Sequence, residues 1–167
     1  MNPTQAIIFE LENEMGSTRR LLERVPGDKL GWKPHEKSMS LGQLALHVAG
    51  IPGRVSSLLL GDGFDAKTVD FTPPSPSNVS EILNALDQGV VDAKKILGDM
   101  TPEQASGPWK LTSGDREVFT VPRLGIARNI MLNHWYHHRG QLTVYLRLLD
   151  VPLPVTYGRS ADENPFA

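Results

Sequence analysis

Apolar residues recur at intervals of three and four along four stretches of the chain, a spacing that places them on one face of a helix. The stretches run from about Thr4 to Arg24, from Ser40 past Leu58, from about Asn78 to Leu97, and from about Pro122 to Leu149. Polar segments rich in proline and glycine separate them. The pattern therefore predicts four amphipathic helices in one domain that spans residues 1–167.

The starts of the second and third helices carry recognisable capping residues. Ser40 with Gln43 has the form of a capping box, and Asn78 with Glu81 offers a second cap. Pro52 falls inside the second helix, where it removes a backbone amide, so we expect a bend about one turn beyond His47.

The connections between these helices differ in character. The polar, proline-rich stretch 61–76 is expected to be a crossing loop without regular structure. Two short β-prone runs, 109–111 and 118–120, flank Ser113-Gly114-Asp115 and predict a small hairpin before the fourth helix. One short helical turn is expected after Thr101. The expected fold is all-α, a four-helix bundle with one long crossing loop and this hairpin.

Composition and charge exclude several classes of function. The chain has 17 Lys and Arg and 19 Asp and Glu, which gives a formal charge of −2. It therefore lacks the excess of basic residues that binding to nucleic acid or anionic lipid requires. The most apolar window, Leu41 to Leu60, contains His47 and Arg54, so no membrane span is expected. Without a basic, apolar leader, a cytoplasmic location is the simplest expectation. The absence of cysteine excludes thiolate metal ligands and a protein-borne thiol nucleophile.

Three of the five histidines lie in one five-residue stretch inside the fourth predicted helix. His134 and His138 are one helical turn apart on nearly one face, so both imidazoles can reach one metal ion. His47 lies at the edge of the apolar stripe of the second helix, where folding could bring it to the same point. Three neutral ligands would leave a coordination position for water or substrate.

Spacing alone leaves alternatives open. His134 and His137 are also neighbours on the helix surface, so the ligand pair is not decided by geometry. His137 could instead be exposed, act as a base, or support a ligand, and His35 follows a proline in a loop and should face solvent. A histidine on an inward face can also be an ordinary core residue with a hydrogen-bond partner.

Two segments, Leu41 to His47 and Asn133 to Gln141, resemble the DinB/YfiT-like metal-binding proteins, and the His-x-x-x-His-Arg-Gly-Gln run is the most specific part of the match. The resemblance covers the chain. It implies a four-helix bundle, often a homodimer, whose divalent metal is held by His47, His134 and His138. Arg159 in the tail, where a proline is expected, and Pro52 depart from the family pattern.

The resemblance also implies an activity, namely a metal-dependent S-transferase or hydrolase that activates a low-molecular-weight thiol or water for reaction with a small, anionic or thiol-bearing substrate. Histidine ligands do not distinguish Zn, Ni, Fe and Mn. Arg139 could hold an anionic group or cap the surface, and Gln141 could bond to a ligand or to bound water. The alternatives are a non-catalytic metal-binding stress protein, its site closed by Asp162 or Glu163, and a dimeric helical interaction module.

Overall fold

Four long helical stretches and one small sheet make up the computed structural model, which describes residues 3–166. The helices are α1 (Gln5–Leu22), α2 (Leu41–Leu58), α3 (Val79–Asp99), α4 (Pro102–Ser106), α5 (Arg123–Ile126) and α6 (His134–Leu148), with a π-helical segment (Ala127–Asn133) joining the last two. The strands are β1 (Gly63–Asp65), β2 (Pro108–Ser113) and β3 (Arg116–Pro122), and single 3-10 turns lie at Gly27–Lys29 and Ala66–Thr68.

The predicted starts of α2 and α3 are confirmed, and both have the side-chain cap that the sequence indicates. Ser40 and Gln43 form a reciprocal capping box at α2. Asn78 accepts a hydrogen bond from the Glu81 amide at α3, and Thr101 caps the short helix α4. These bonds satisfy amides that have no partner within the first turn of a helix.

The helices pack through their apolar faces, with α2 against α3 and α6, and α1 against α3. Gly53 and Gly89 let α2 and α3 approach closely, since a Cβ on Gly53 would lie 2.7 Å from the Gly89 Cα. Buried side chains of all four stretches form one core, for example Leu11, Leu44, Leu86 and Leu142, each fully shielded from solvent. Burial of this apolar surface is the main stabilising contribution to the fold.

The sequence predicted an all-α fold, and this prediction is wrong in one respect: three strands form a sheet in the order β1-β2-β3. The predicted hairpin is confirmed: β2 and β3 pair antiparallel, with Lys110 opposite Thr120. Strand β1 lies within the stretch that was expected to be an irregular loop and pairs parallel to β2. At three residues it is too short to show a periodic pattern, and its partner is distant in sequence. Gly63 is needed there, because a Cβ would lie 2.3 Å from the Lys110 carbonyl oxygen.

The fourth helical stretch, residues 123–148, is continuous but not uniformly α-helical. The π-helical segment changes which side chains face inward, because its wider turns break the 3.6-residue repeat. Continuing the apolar repeat through this stretch predicts that Ile130 faces inward, but it is 40% exposed, whereas Leu132 and Trp135 are fully buried.

A bilayer crossing needs about 20 mainly apolar residues in one helix. No helix of residues 3–166 combines that length with that apolar character.

Candidate metal centre

His47 of α2 and His134 and His138 of α6 meet at one point. The Nε2 atom of His134 lies 3.4 Å from Nε2 of His47 and 2.7 Å from Nε2 of His138. One ligand nitrogen from each ring lies within 4.8 Å of the others. The structure thus brings together the three histidines that the sequence analysis assigned to one site. We call this group the histidine cluster.

Two packed helices hold the histidine cluster. His134 is the first residue of α6, directly after the π-helical segment, and His138 follows one turn later. His47 lies on α2 beside the fully buried Val48. Pro52 lies within α2, which continues to Leu58, and the bend expected there stays a prediction. The π-helical segment matters because single π-turns inside α-helices often occur beside functional residues.

The environment keeps these imidazoles neutral near pH 7. Burial, and then the neighbouring positive charges, lowers the pKa of His47 to about 4. Burial is also the main reason that the pKa values of His134 and His138 lie below the ordinary value. A neutral imidazole is the form that binds a metal, because protonation occupies the lone pair.

The donor set and its spacing fit a divalent cation. Two nitrogens bound to a tetrahedral ion at about 2.05 Å lie about 3.3 Å apart. The separation of 3.4 Å between His47 and His134 matches this value, whereas the 2.7 Å between His134 and His138 requires those two nitrogens to move apart by about 0.6 Å. Within residues 3–166 no Asp or Glu joins the group. Three protein ligands with an open position are typical of catalytic sites.

A groove of about 1100 Å³ opens beside the histidine cluster, and all three histidines line it. Its other walls come from α2, α3 and the stretch 64–74 that follows α2. The groove is large enough for a small organic molecule. A ligand in it would lie next to the imidazole nitrogens.

The sequence matches the model of one known protein family over nearly its whole length. The model described as the DinB family matches residues 1–164, nearly the whole chain. This chain belongs to the DinB family. No curated protein matches it.

Solved DinB-like structures share the fold. A DinB-like protein from Bacillus cereus aligns with a TM-score of 0.68 and 22% identity, over 90% of this chain and 95% of that one. A DinB-like protein from Bacillus subtilis aligns with the same TM-score and 20% identity, over 93% of this chain and all of the other. Because the identities are only 20% and 22%, this similarity shows the fold of this DinB protein and no more.

Gln141 lies where it can orient a histidine of the cluster. Its Oε1 atom is 2.7 Å from Nδ1 of His138. Because a carbonyl oxygen only accepts, Nδ1 of His138 carries the hydrogen and donates it. The lone pair of Nε2 is then directed into the cluster, which is how supporting hydrogen bonds orient metal ligands.

The other two histidines lie outside the cluster. His137 is exposed, with its ring centroid 4.9 Å from that of His138, and His35 is exposed in the loop before α2. His35 accepts a hydrogen bond from the Lys37 amide. Of the two ligand pairs that spacing left open in the fourth helix, the structure brings His134 together with His138.

Arg139 serves neither of the roles expected for it. Its side chain is 3% exposed and pairs with Glu14 at 2.6 Å. It also donates to the Thr18 hydroxyl at 3.0 Å and to the Tyr157 hydroxyl. The guanidinium is therefore bound within the protein, away from the groove, and available neither to a substrate anion nor as a surface cap. We call Arg139, Glu14, Thr18 and Tyr157 the arginine network.

The tail carboxylates, considered as further ligands, are also engaged elsewhere. Asp162 pairs with Arg147 and accepts from the Leu153 amide at 2.8 Å. Glu163 pairs with Arg24, just after α1, at 2.7 Å and with Arg20 of α1 at 3.8 Å. The tail is thereby held against α1 and α6, and its carboxylates do not complete the histidine cluster.

Arg54 is the site residue that the sequence analysis missed. Its Nη2 atom lies 3.3 Å from Nδ1 of His47 and 3.1 Å from the His47 carbonyl oxygen. Position 54 is two helical turns after position 47, so spacing on α2 was the available signal. A guanidinium only donates, so in this arrangement Nδ1 of His47 accepts and Nε2 carries the hydrogen. A cation on Nε2 would reverse that tautomer and release Arg54 from Nδ1.

Proposed function

We propose that this DinB protein is a divalent-metal-dependent enzyme that activates water or a low-molecular-weight thiol, as a hydrolase or an S-transferase. One observation carries the proposal: three neutral imidazoles converge at the wall of an open groove. A divalent ion held by neutral ligands keeps its charge and lowers the pKa of a bound water or thiol. The donor set is compatible with Zn, Ni, Fe or Mn.

The residues of the chain divide the work in this proposal. His47, His134 and His138 hold the ion, and Gln141 fixes the ring of His138. The groove holds and orients the second substrate and limits its access to water. Because the chain contains no cysteine, a reacting sulfur has to arrive with a small thiol.

The engagement of the tail supports a catalytic site over a closed, structural one. A structural ion usually has four protein ligands. Asp162 and Glu163, the carboxylates considered for that role, are paired with Arg147 and Arg24. The non-catalytic stress protein is therefore the weaker proposal. The four-helix bundle, the homodimer and the cytoplasmic location implied by the resemblance stay predictions.

Metal analysis of untagged protein tests the site. Wild type and the His137→Ala variant should retain the metal, because His137 is exposed and lies outside the cluster. The His134→Ala variant should lose it, because it removes the histidine whose Nε2 lies within 3.4 Å of Nε2 of both other rings. Equal metal content in His134→Ala and His137→Ala would refute the site.

Activity needs a separate assay. We would combine a panel of small thiols with chlorodinitrobenzene and epoxides, and a panel of esters and amides with water, in the presence of zinc, nickel or manganese. We expect turnover above the metal-only blank with wild type and with His137→Ala, and none above it with His134→Ala. If every combination matches the blank, the proposed chemistry is wrong even if the metal binds.

A further inference from the structure

The groove beside the histidine cluster has a largely apolar wall. The side chains that form it come from α2, α3 and the stretch after α2, and they include Leu46, Leu58, Phe64, Val69, Phe71 and Ala85. The rings of Phe64 and Phe71 meet edge to face with centroids 6.3 Å apart. Phe71 is 67% exposed and Val69 41% exposed. An apolar ligand in the groove would remove this surface from water.

One cation faces this apolar space. Arg54 lines the groove and touches His47, and within residues 3–166 no carboxylate lies at ion-pair distance from it. Arg123 and Arg139, by contrast, each pair with a carboxylate. The Arg54 side chain is exposed to the groove, so an anion bound there could form the ion pair that the protein itself does not supply.

The groove also contains carboxylates, and their positions define where the anionic end of a ligand fits. Asp92 on α3 accepts a hydrogen bond from Gln88. Asp70, on the stretch after α2, accepts from the Thr72 amide. Both repel an anion, whereas Arg54 lies on α2 beside the histidine cluster. The charges therefore direct an acidic group to the end of the groove at the imidazoles.

We propose that the groove binds an amphipathic organic anion, with its aromatic or aliphatic body against the Phe64 and Phe71 wall and its acidic group on Arg54. The inference rests on the proposed function, because it names the substrate class of the same site. It adds Arg54 as the residue that selects an anionic substrate. Only Nη2 of the guanidinium contacts His47, so its other N–H groups can donate to an acidic group without any metal.

The test uses two fluorescent probes that share their rings and differ in charge, titrated into metal-free protein. Anilinonaphthalene sulfonate carries an acidic group, and phenylnaphthylamine carries none. A hydrogen-bonded charge contact corresponds to about tenfold in affinity or more. We therefore expect Arg54→Met to weaken sulfonate binding about tenfold and to leave the neutral probe unchanged, and Arg54→Lys to restore part of the loss.

Two further variants separate the groove from general effects. Arg159→Met removes the same charge from the exposed tail, outside the groove, and should change neither affinity. Phe71→Ser should weaken both probes, because it removes part of the shared apolar wall. Circular dichroism would verify that each variant is folded, and the wild-type comparison of the two probes needs no variant at all.

Several results would overturn the proposal: no saturable binding of the sulfonate, equal affinity of wild type for the two probes, or equal losses for Arg54→Met and Arg159→Met. The outcome of the metal analysis does not depend on these probe measurements, so the two proposals can fail separately. Arg54-dependent probe binding in a protein that never holds metal would refute the proposed enzyme and leave the groove assignment intact. Metal binding with Arg54-independent probe binding would refute the groove assignment alone.

Discussion

His138 and Arg139 are neighbours on α6, yet their side chains belong to regions of opposite character. In the arginine network a buried cation is neutralised by Glu14 and bonded to the hydroxyls of Thr18 and Tyr157. In the histidine cluster three neutral rings face one another with no carboxylate among them. The first region is complete within the chain, and the second is arranged to accept a cation from outside. The contrast assigns the arginine network to stability and supports the metal site that we propose at the histidine cluster.

The largest effect should come from breaking the arginine network. Removing one partner of a buried ion pair leaves an uncompensated charge and costs about 3–5 kcal/mol. We expect Glu14→Ala to lower the free energy of unfolding of metal-free protein by that amount in urea denaturation. Glu12→Ala is the control, because the Glu12 pair with Lys94 is solvent-exposed and worth about 0–1 kcal/mol. Similar losses of unfolding free energy in both variants would mean that the arginine network stabilises the fold no more than an exposed ion pair does.

Metal loading should act on the other region. A ligand that binds only the folded state at about 100 times its Kd stabilises it by about 2.7 kcal/mol. We expect added zinc to raise the Tm of wild type and of His137→Ala, and to have no such effect on His47→Ala. A rise of equal size in His47→Ala would show that the stabilising ion binds elsewhere.

The support that Gln141 gives to the cluster predicts a smaller change. Losing the hydrogen bond that orients a histidine ligand lowers metal affinity about 10–100-fold. Gln141→Leu should therefore bind zinc more weakly in a competition titration with a chromophoric chelator. Because Gln141 is exposed, its stability without metal should stay within about 0.5 kcal/mol of wild type. Unchanged affinity would remove Gln141 from the site.

Acid should reveal the cluster in the metal-free protein, with the smallest effect because solvent screens these half-buried rings. The pKa of His47 is lowered to about 4, mainly by burial, so the unfolded chain takes up this proton near pH 6.5 and the folded protein does not. Stability should fall as pH drops from about 6.5 towards 4. In His47→Leu the fall between pH 6.5 and 5 should be shallower, and an identical slope would contradict the assignment.

Local signals made much of the fold predictable. The caps at Ser40 and Asn78 depend on residues three positions apart, so the starts of α2 and α3 could be predicted from the sequence. The hairpin also depends on neighbouring residues. The spacing of His134 and His138 indicated that the two rings could bind one metal ion, and the family resemblance added His47 to that site.

The features that were missed depend on contacts between distant residues. Strand β1 exists through its pairing with β2, and Arg139 is buried because Glu14 on α1 faces it. The π-helical segment shifts the inward face of the fourth stretch, so Ile130, which the apolar repeat predicts to face inward, is exposed. Arg54 was the exception, because its two-turn spacing from His47 was visible on α2.

X-ray absorption spectroscopy of untagged, zinc-loaded protein tests the central claim most directly. The account predicts three imidazole nitrogens from His47, His134 and His138 and a further oxygen ligand that an added thiol replaces, with one imidazole fewer in His134→Ala. A metal bound without these imidazoles, or a shell closed by protein ligands that no thiol displaces, would contradict it.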